Sequence, residues 1–303
     1  MKNKIHTFNT NQFMDKFMKP DPKLKEIITS EYGSFFMVKV QDLIKISKVP
    51  VPPTRAITHS MIFLTSGIAT MKIGFHNVKI GKNQCLVVPA GQVFCYDKYE
   101  VNTGFLCNFD NDFLVGKIGN PNMLNDFDFL NIWGNPIIKP TAKTSTYLAQ
   151  TFQRVLDEYA ANGLKNPQIL QAYFIAALYD LNAAYKPLSN SKSKTATALT
   201  NRFKGLLHQH IRSKHLVTDY AGMLSISPNH LNKIVKETTG KSPSRWIDES
   251  LVTEAKVLLF QTPDLINEIA AEIGIYDQSY FSRLFKKYEK VSPVEFRKMI
   301  EKS

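Results

Sequence analysis

Ser227–Glu237 reads SPNHLNKIVKE, and Asp277–Lys287, fifty positions later, reads DQSYFSRLFKK. Superposed with that shift, Leu231, Ile234 and Val235 fall on Phe281, Leu284 and Phe285. The spacing i, i+3, i+4 is the buried stripe of a short amphipathic helix. The polar positions match as well: Asn229, Asn232, Lys233 and Lys236 fall on Ser279, Ser282, Arg283 and Lys286. Each set occupies one helical face, so each helix presents short hydrogen-bonding side chains and bases outward.

Both helices carry start signals. Ser227 precedes Pro228, an N-cap followed by proline at the first helical position, and Asp277 suits the same role. Upstream, TDYAGMLSI matches INEIAAEIGI, with Ala221 over Ala270 and Leu224 over Ile273. That register is 49, so the second copy holds one extra residue near Gly274–Tyr276. Downstream, Ser242–Pro243 matches Ser292–Pro293, and Trp246 matches Phe296. Each copy therefore reads helix, tight turn, helix, then Ser-Pro opening a further helix. That is a helix-turn-helix unit, whose second helix has the dimensions of a major groove. An ordinary all-α bundle with solvated basic faces accounts for the outer positions alone. It does not account for caps, core and outer face repeating together.

Working outward, 200–297 resembles the DNA-binding domain of the AraC/XylS family of bacterial transcription regulators. The resemblance rests on IAAEIGIYDQSYFSRLFKKYEKVSPVEFRK (269–298) and on its counterpart TGKSPSRWI (239–247). The chain departs from the family where an aromatic residue and a glycine usually precede the second Val-Ser-Pro. Here Glu289–Lys290 stand instead, without the C-cap that Gly240 offers the first unit. The resemblance implies a transcription regulator, an activator in the first instance, with double-stranded DNA and RNA polymerase as partners and a homodimer as its assembly. It points to Asn229, Asn232, Lys233, Gln278, Ser279 and Arg283 as the DNA face. Chemistry assigns the roles. Asn229, Asn232 and Gln278 suit adenine, and Arg283 suits guanine O6 and N7. Ser279 and Ser282 reach bases or phosphates, and Lys233 reaches guanine or phosphate. Lys236, Lys286 and Lys287 steady the backbone. Between the units PSRWIDESLVTEAKVLLF (243–260) reads as one helix of about 27 Å, a spacer of the order of one DNA turn once the reading helices' own offset is added.

The rest of the chain fits around this end. A length of 303 residues suggests two domains, and 44% apolar with 21% charged residues is ordinary for globular proteins. The net charge of +12 favours polyanions but is spread along the chain. Cys85, Cys95 and Cys107 show no CxxC spacing and read as reduced residues of a cytoplasmic protein. Neither a signal peptide nor an apolar run of about 20 residues is present, so no membrane association is expected.

FNTNQFMDKFM reads as a helical turn stopped by Pro20–Pro22. From Ser34 to Phe113, FFMVKV, MIFLTSG, ATMKIGF, HNVKI, QCLVVPA, VFCYD and GFLCNF are short, β-branched or aromatic, and punctuated by Gly, Pro and Asn. This region resembles the cupin-like sensor half of AraC-type regulators. Where metal cupins usually supply a histidine, this chain has Phe94, and His59 and His76 lack ligand spacing. We therefore expect no metal, no cofactor and no enzymatic activity. A cupin-type metal-binding or catalytic protein with a degenerate helical domain is the alternative that these positions weigh against. His208, His210 and His215 cluster without a carboxylate or cysteine to complete a site. The barrel is filled by its own aromatics or holds a small-molecule effector, and both readings stand. Phe63, Thr65, Lys72, Gly74, His76 and Phe94 are the pocket candidates, subject to strand parity.

NDFDFLNIWGNPIIKP reads as a loop with an apolar plug. STYLAQTFQRVLDEYAANG and NPQILQAYFIAALYDLNAAY read as two helices that end at Gly163 and start near Pro167. The expected fold is thus α+β: a cupin-like sensor barrel (1–135), a helical dimerisation or interdomain segment of two helices (136–185), a Pro-, Ser- and Lys-rich linker (186–195), and an all-α domain of two helix-turn-helix units joined by a long helix (196–303).

Overall fold

The computed structural model describes residues 7–20, 35–96, 98, 100–116, 120–132, 134–187 and 194–301. Among these, the described residues of 7–187 form one compact unit and those of 194–301 the other.

In the first unit Asn9 and Gln12 form a reciprocal capping box that starts α1 (Thr10–Phe17). Then follow β1 (Phe35–Lys39), α2 (Val40–Ile46), β2 (Val51–Arg55), β3 (His59–Ile73), β4 (His76–Gly81), β5 (Cys85–Val88), β6 (Val93–Tyr96) and β7 (Asn102–Phe109). After α3 (Asn111–Val115) and two 3₁₀ turns come β8 (Ile137–Ile138), α4 (Ala142–Asn162) and α5 (Pro167–Ala184). Every strand pair is antiparallel. One path runs β1-β7-β3-β5-β8, while β3 continues onward to pair with β4 and β6, and β6 pairs with β2.

Two features depart from the sequence reading. The segments MIFLTSG and ATMKIGF, expected as separate strands, are one 15-residue strand, β3. Gly67 makes this feasible: at φ +76° it turns the strand, and a Cβ there would lie 2.2 Å from the Val101 carbonyl oxygen. The bend lets one strand serve both groups of partners. Second, VPPTR forms β2 despite two prolines. Its register shifts between Val51 and Thr54, so Pro52 and Pro53 fall in an irregularity where no ladder donor is required.

The stripes of α4 and α5 are buried on the sheet. Phe63 and Phe105 lie 5.5 and 5.8 Å from Phe152 of α4, and Phe35 and Phe109 lie 5.4 and 4.9 Å from Phe174 of α5. Leu148, Val155, Leu170, Leu178 and Leu181 complete that core. The helical segment therefore shares one core with the strands. Of the expected linker, 188–193 lie outside the described residues, and Lys194 and Thr195 already belong to the next helix.

The second unit contains α6 (Lys194–His210), α7 (Val217–Met223), α8 (Pro228–Thr239), α9 (Pro243–Gln261), α10 (Ile266–Glu272), α11 (Gln278–Glu289) and α12 (Pro293–Glu301). Phe203, Leu207 and Ile211 bury the inner side of α6 and its end. Nearly all of α9 is enclosed: Trp246, Ile247 and every residue from Glu249 to Leu259 are buried. Its 19 residues span about 28 Å.

Candidate nucleic-acid interface

The start and stop of α8 and of α11 are local chemistry. Ser227 Oγ accepts from the His230 amide at 3.2 Å, and Pro228 occupies the first position of α8. Asp277 accepts from the amides of Ser279 and Tyr280 at 2.8 and 3.0 Å to start α11. Gly240 ends α8 in the left-handed region at φ +74°, and Lys290 ends α11 in the same conformation at φ +67°. The cap geometry thus survives the loss of glycine, at the steric cost a Cβ brings there.

Leu231 and Val235 seat α8, and Phe281, Leu284 and Phe285 seat α11; Ile234 is half-buried. The opposite positions face solvent. Asn229, Lys233, Lys236, Gln278, Ser279, Arg283 and Lys286 are exposed, and Asn232 and Ser282 are half-buried at matching positions. Among the described residues the side chains of Asn229, Gln278 and Arg283 have no protein partner, which leaves their donors and acceptors available. Asn232 instead donates to the Pro228 carbonyl at 3.1 Å. Lys287 is engaged: it meets Asp248 of α9 at 3.2 Å, which raises its pKa.

The two helices are fixed to α9 by different devices. At α8, Trp246 Nε1 donates to Thr239 Oγ1 at 3.1 Å, and Lys241 meets the buried Glu249 at 2.8 Å. At α11, Tyr288 donates to Asp248 at 3.0 Å, and Glu289 meets the buried Lys256 at 2.9 Å. Glu289, one of the two residues that depart from the family pattern, is therefore the partner of a lysine inside the domain. Arg212, just beyond α6, reaches Glu254 of α9 at 3.2 Å and Glu272 of α10 at 3.3 Å. The pairs of Arg212, Tyr288 and Glu289 join residues far apart in sequence, and no spacing rule reveals them.

The first unit contains a cavity of about 620 Å³, open mouth included. Its 17 lining residues carry no formal charge. Asn9, Thr10, Thr58, Ser60, Tyr96 and Asn108 supply the polar groups, and the rest of the wall is apolar. Phe94 lines it as expected. The other candidates correct the expected parity. On β3 the side chains turned inward are Ser60, Ile62 and Met71, so Phe63 points to the helices and Lys72 lies on the other face. His76 is exposed at the start of β4. The contribution of α1, through Phe13, Met14 and its capping Asn9, was not foreseen from a segment read only as a helical turn.

His59 is committed to structure. Its Nδ1 accepts from the Ala90 amide at 3.0 Å, so Nε2 carries the proton that Asn111 Oδ1 accepts at 3.1 Å. Burial lowers its pKa to about 4. Among the described residues no three His, Cys, Asp or Glu side chains group as metal ligands, and no helix is long and apolar enough to cross a membrane.

Comparison with known proteins bears on the same end of the chain. A family profile described as a helix-turn-helix domain matches residues 220–299. Over 156 residues the chain is 28% identical to the uncharacterised HTH-type transcriptional regulator YisR of Bacillus subtilis, covering 52% of this chain and 53% of that protein. It is 33% identical to the Msm operon regulatory protein of Streptococcus mutans (42% and 48% covered) and 35% identical to the arabinose operon regulatory protein of Escherichia coli (27% and 28% covered). The chain thus spans about half or less of the length of these relatives. Among solved structures, ToxT from Vibrio cholerae aligns with a TM-score of 0.46 at 15% identity, covering 88% of this chain and 98% of that one.

Proposed function

We propose that the chain is an AraC/XylS-type, sequence-specific DNA-binding transcription regulator acting in the cytoplasm as an activator; the match of residues 220–299 to a helix-turn-helix domain supports this reading. The observation that carries this reading is the pair of solvent-facing helices, α8 and α11, tied to one buried helix of about 28 Å. A connecting helix of that length, with the two helices' own offset added, is of the order of one DNA turn and suits successive major grooves on one side of a duplex. Asn229, Asn232, Lys233, Gln278, Ser279, Ser282 and Arg283 are the reading set, and Lys236 and Lys286 hold the backbone. As an activator the protein would engage RNA polymerase. Homodimerisation through α4 and α5 is part of the reading, and exposed Tyr147, Tyr173 and Tyr179 on those helices are its candidate contacts.

The test is retention of genomic DNA. The protein is incubated with fragments of its own genome, and the retained fragments are sequenced and titrated at several salt concentrations. We expect a discrete set of fragments sharing a two-part site, with affinity falling as salt rises. Recovery of fragments without any shared site would reject sequence-specific reading.

The first unit is proposed to sense a small effector in the cavity. A wall without charge favours a neutral, largely apolar molecule, since an ion there would lose its hydration without gaining a counter-charge. Titration with decanol and with decanoate separates the cases: binding of the alcohol alone is expected, and preference for the carboxylate would reject a neutral effector.

A further inference from the structure

The two helix-turn-helix units differ in length by one residue, and the backbone identifies it. The Ile226 amide donates to the Ala221 carbonyl at 3.0 Å, and the Ile275 amide donates to the Ala270 carbonyl at 2.8 Å. Ile226 and Ile275 are therefore equivalent positions. The helix caps that follow are Ser227 and Asp277. The first unit passes directly from isoleucine to cap, whereas the second inserts Tyr276 between them.

We propose that Tyr276 is a contact to the DNA phosphate backbone that the second unit alone possesses. This rests on the DNA-binding reading above. Tyr276 is 88% exposed, immediately before the helix that carries Gln278, Ser279 and Arg283. Its phenol has no partner among the described residues. The adjoining cap explains why this unit needs such a group. The Asp277 carboxylate already accepts from the Ser279 and Tyr280 amides. Those amides, which at an open helix start would face a phosphate, are spent on a group of the same charge as phosphate. In the first unit the equivalent cap is the neutral Ser227. Tyr276 sets beside Asp277 an uncharged O–H donor and a flat ring. The hydroxyl can donate to a phosphate oxygen, and the ring can lie against the adjoining sugar.

The experiment measures binding of the full chain, by fluorescence anisotropy, to a genomic fragment that the wild type retains and to a random-sequence duplex of the same length. Tyr276→Ala is expected to weaken both about tenfold, the loss of one hydrogen bond to a charged acceptor. Tyr276→Phe, which keeps the ring, should fall between Ala and wild type. The dependence of affinity on salt should keep its slope, because no charge is removed, whereas Lys286→Ala lowers that slope by about 1. Unchanged affinity in Tyr276→Ala overturns the proposal. So does a loss confined to the genomic fragment, which would make Tyr276 a base reader. If the wild type is retained by neither duplex, the DNA-binding reading itself fails and this contact with it.

Discussion

Arg283 has the plainest task of any single side chain here. It is exposed, without a protein partner among the described residues, on the outer face of α11. Arg283→Ala should cost about 1–3 kcal/mol of binding and relax the preference at one base pair. Competition between fragments that differ at single positions measures this, and an equal loss on cognate and random DNA would make the residue a phosphate contact. His59 allows a test of a different kind. Its folded pKa of about 4 lies below the ordinary 6.5, so between those values the unfolded chain binds a proton that the folded chain refuses. The stability of the first unit should therefore fall as pH drops from 6.5 towards 4, by up to about 3 kcal/mol for this group. Denaturant titrations of wild type and His59→Gln at pH 7 and pH 5 would show it as a pH slope reduced in the variant. The outward residues of α8 and α11 were legible in the sequence because helical period alone decides which positions face out. The engagement of Lys287 by Asp248 was not, because its partner stands 39 residues away.

Among elements, α11 is the one whose ends can be tuned independently. Lys290 holds a left-handed conformation that glycine adopts freely. Lys290→Gly should raise stability by about 0.5–1 kcal/mol, read as a higher denaturation midpoint. Glu289→Ala should do the reverse, since it leaves Lys256 buried without its 2.9 Å partner. A loss of about 3 kcal/mol is expected by the same measurement, with Lys256→Met in the Glu289→Ala background restoring much of it. The element boundaries that sequence reading recovered, in α8, α9 and α11, are those set by caps within three residues of the helix start. Those it missed depend on partners. β2 keeps its place although Pro52–Pro53 argue against a strand, because β6 pairs only with the flanking residues. β3 runs through Gly67 because strands on both sides hold it, and a turn-forming glycine looks the same in sequence whether the chain reverses or only bends. The cavity wall was misread for a related reason: parity along β3 is fixed by which face meets Phe152, which no local pattern states.

At the scale of the whole molecule, the net charge of +12 and the exposed bases of α8 and α11 make ionic strength the first variable to control. Removing Lys236 should reduce the slope of log affinity against log salt by about 1 on any duplex, which separates a phosphate anchor from the base readers. The helical repeat is legible end to end in the sequence, since its two copies corroborate each other. The β unit has no second copy to check against, and its register is fixed by contacts across the sheet.

On the proposed DNA-binding reading, the enclosure of α9 fixes what kind of operator the protein accepts. A shaft wrapped by neighbours from Glu249 to Leu259, and pinned to α11 through both Asp248 and Lys256, has no joint at which to swivel. Inserting five base pairs between the two halves of a cognate site turns the far half to the opposite side of the double helix, since one full turn takes about 10.5. The protein cannot follow that rotation, so such a duplex would be gripped at one half only, while an insertion in the flanking DNA would pass unnoticed.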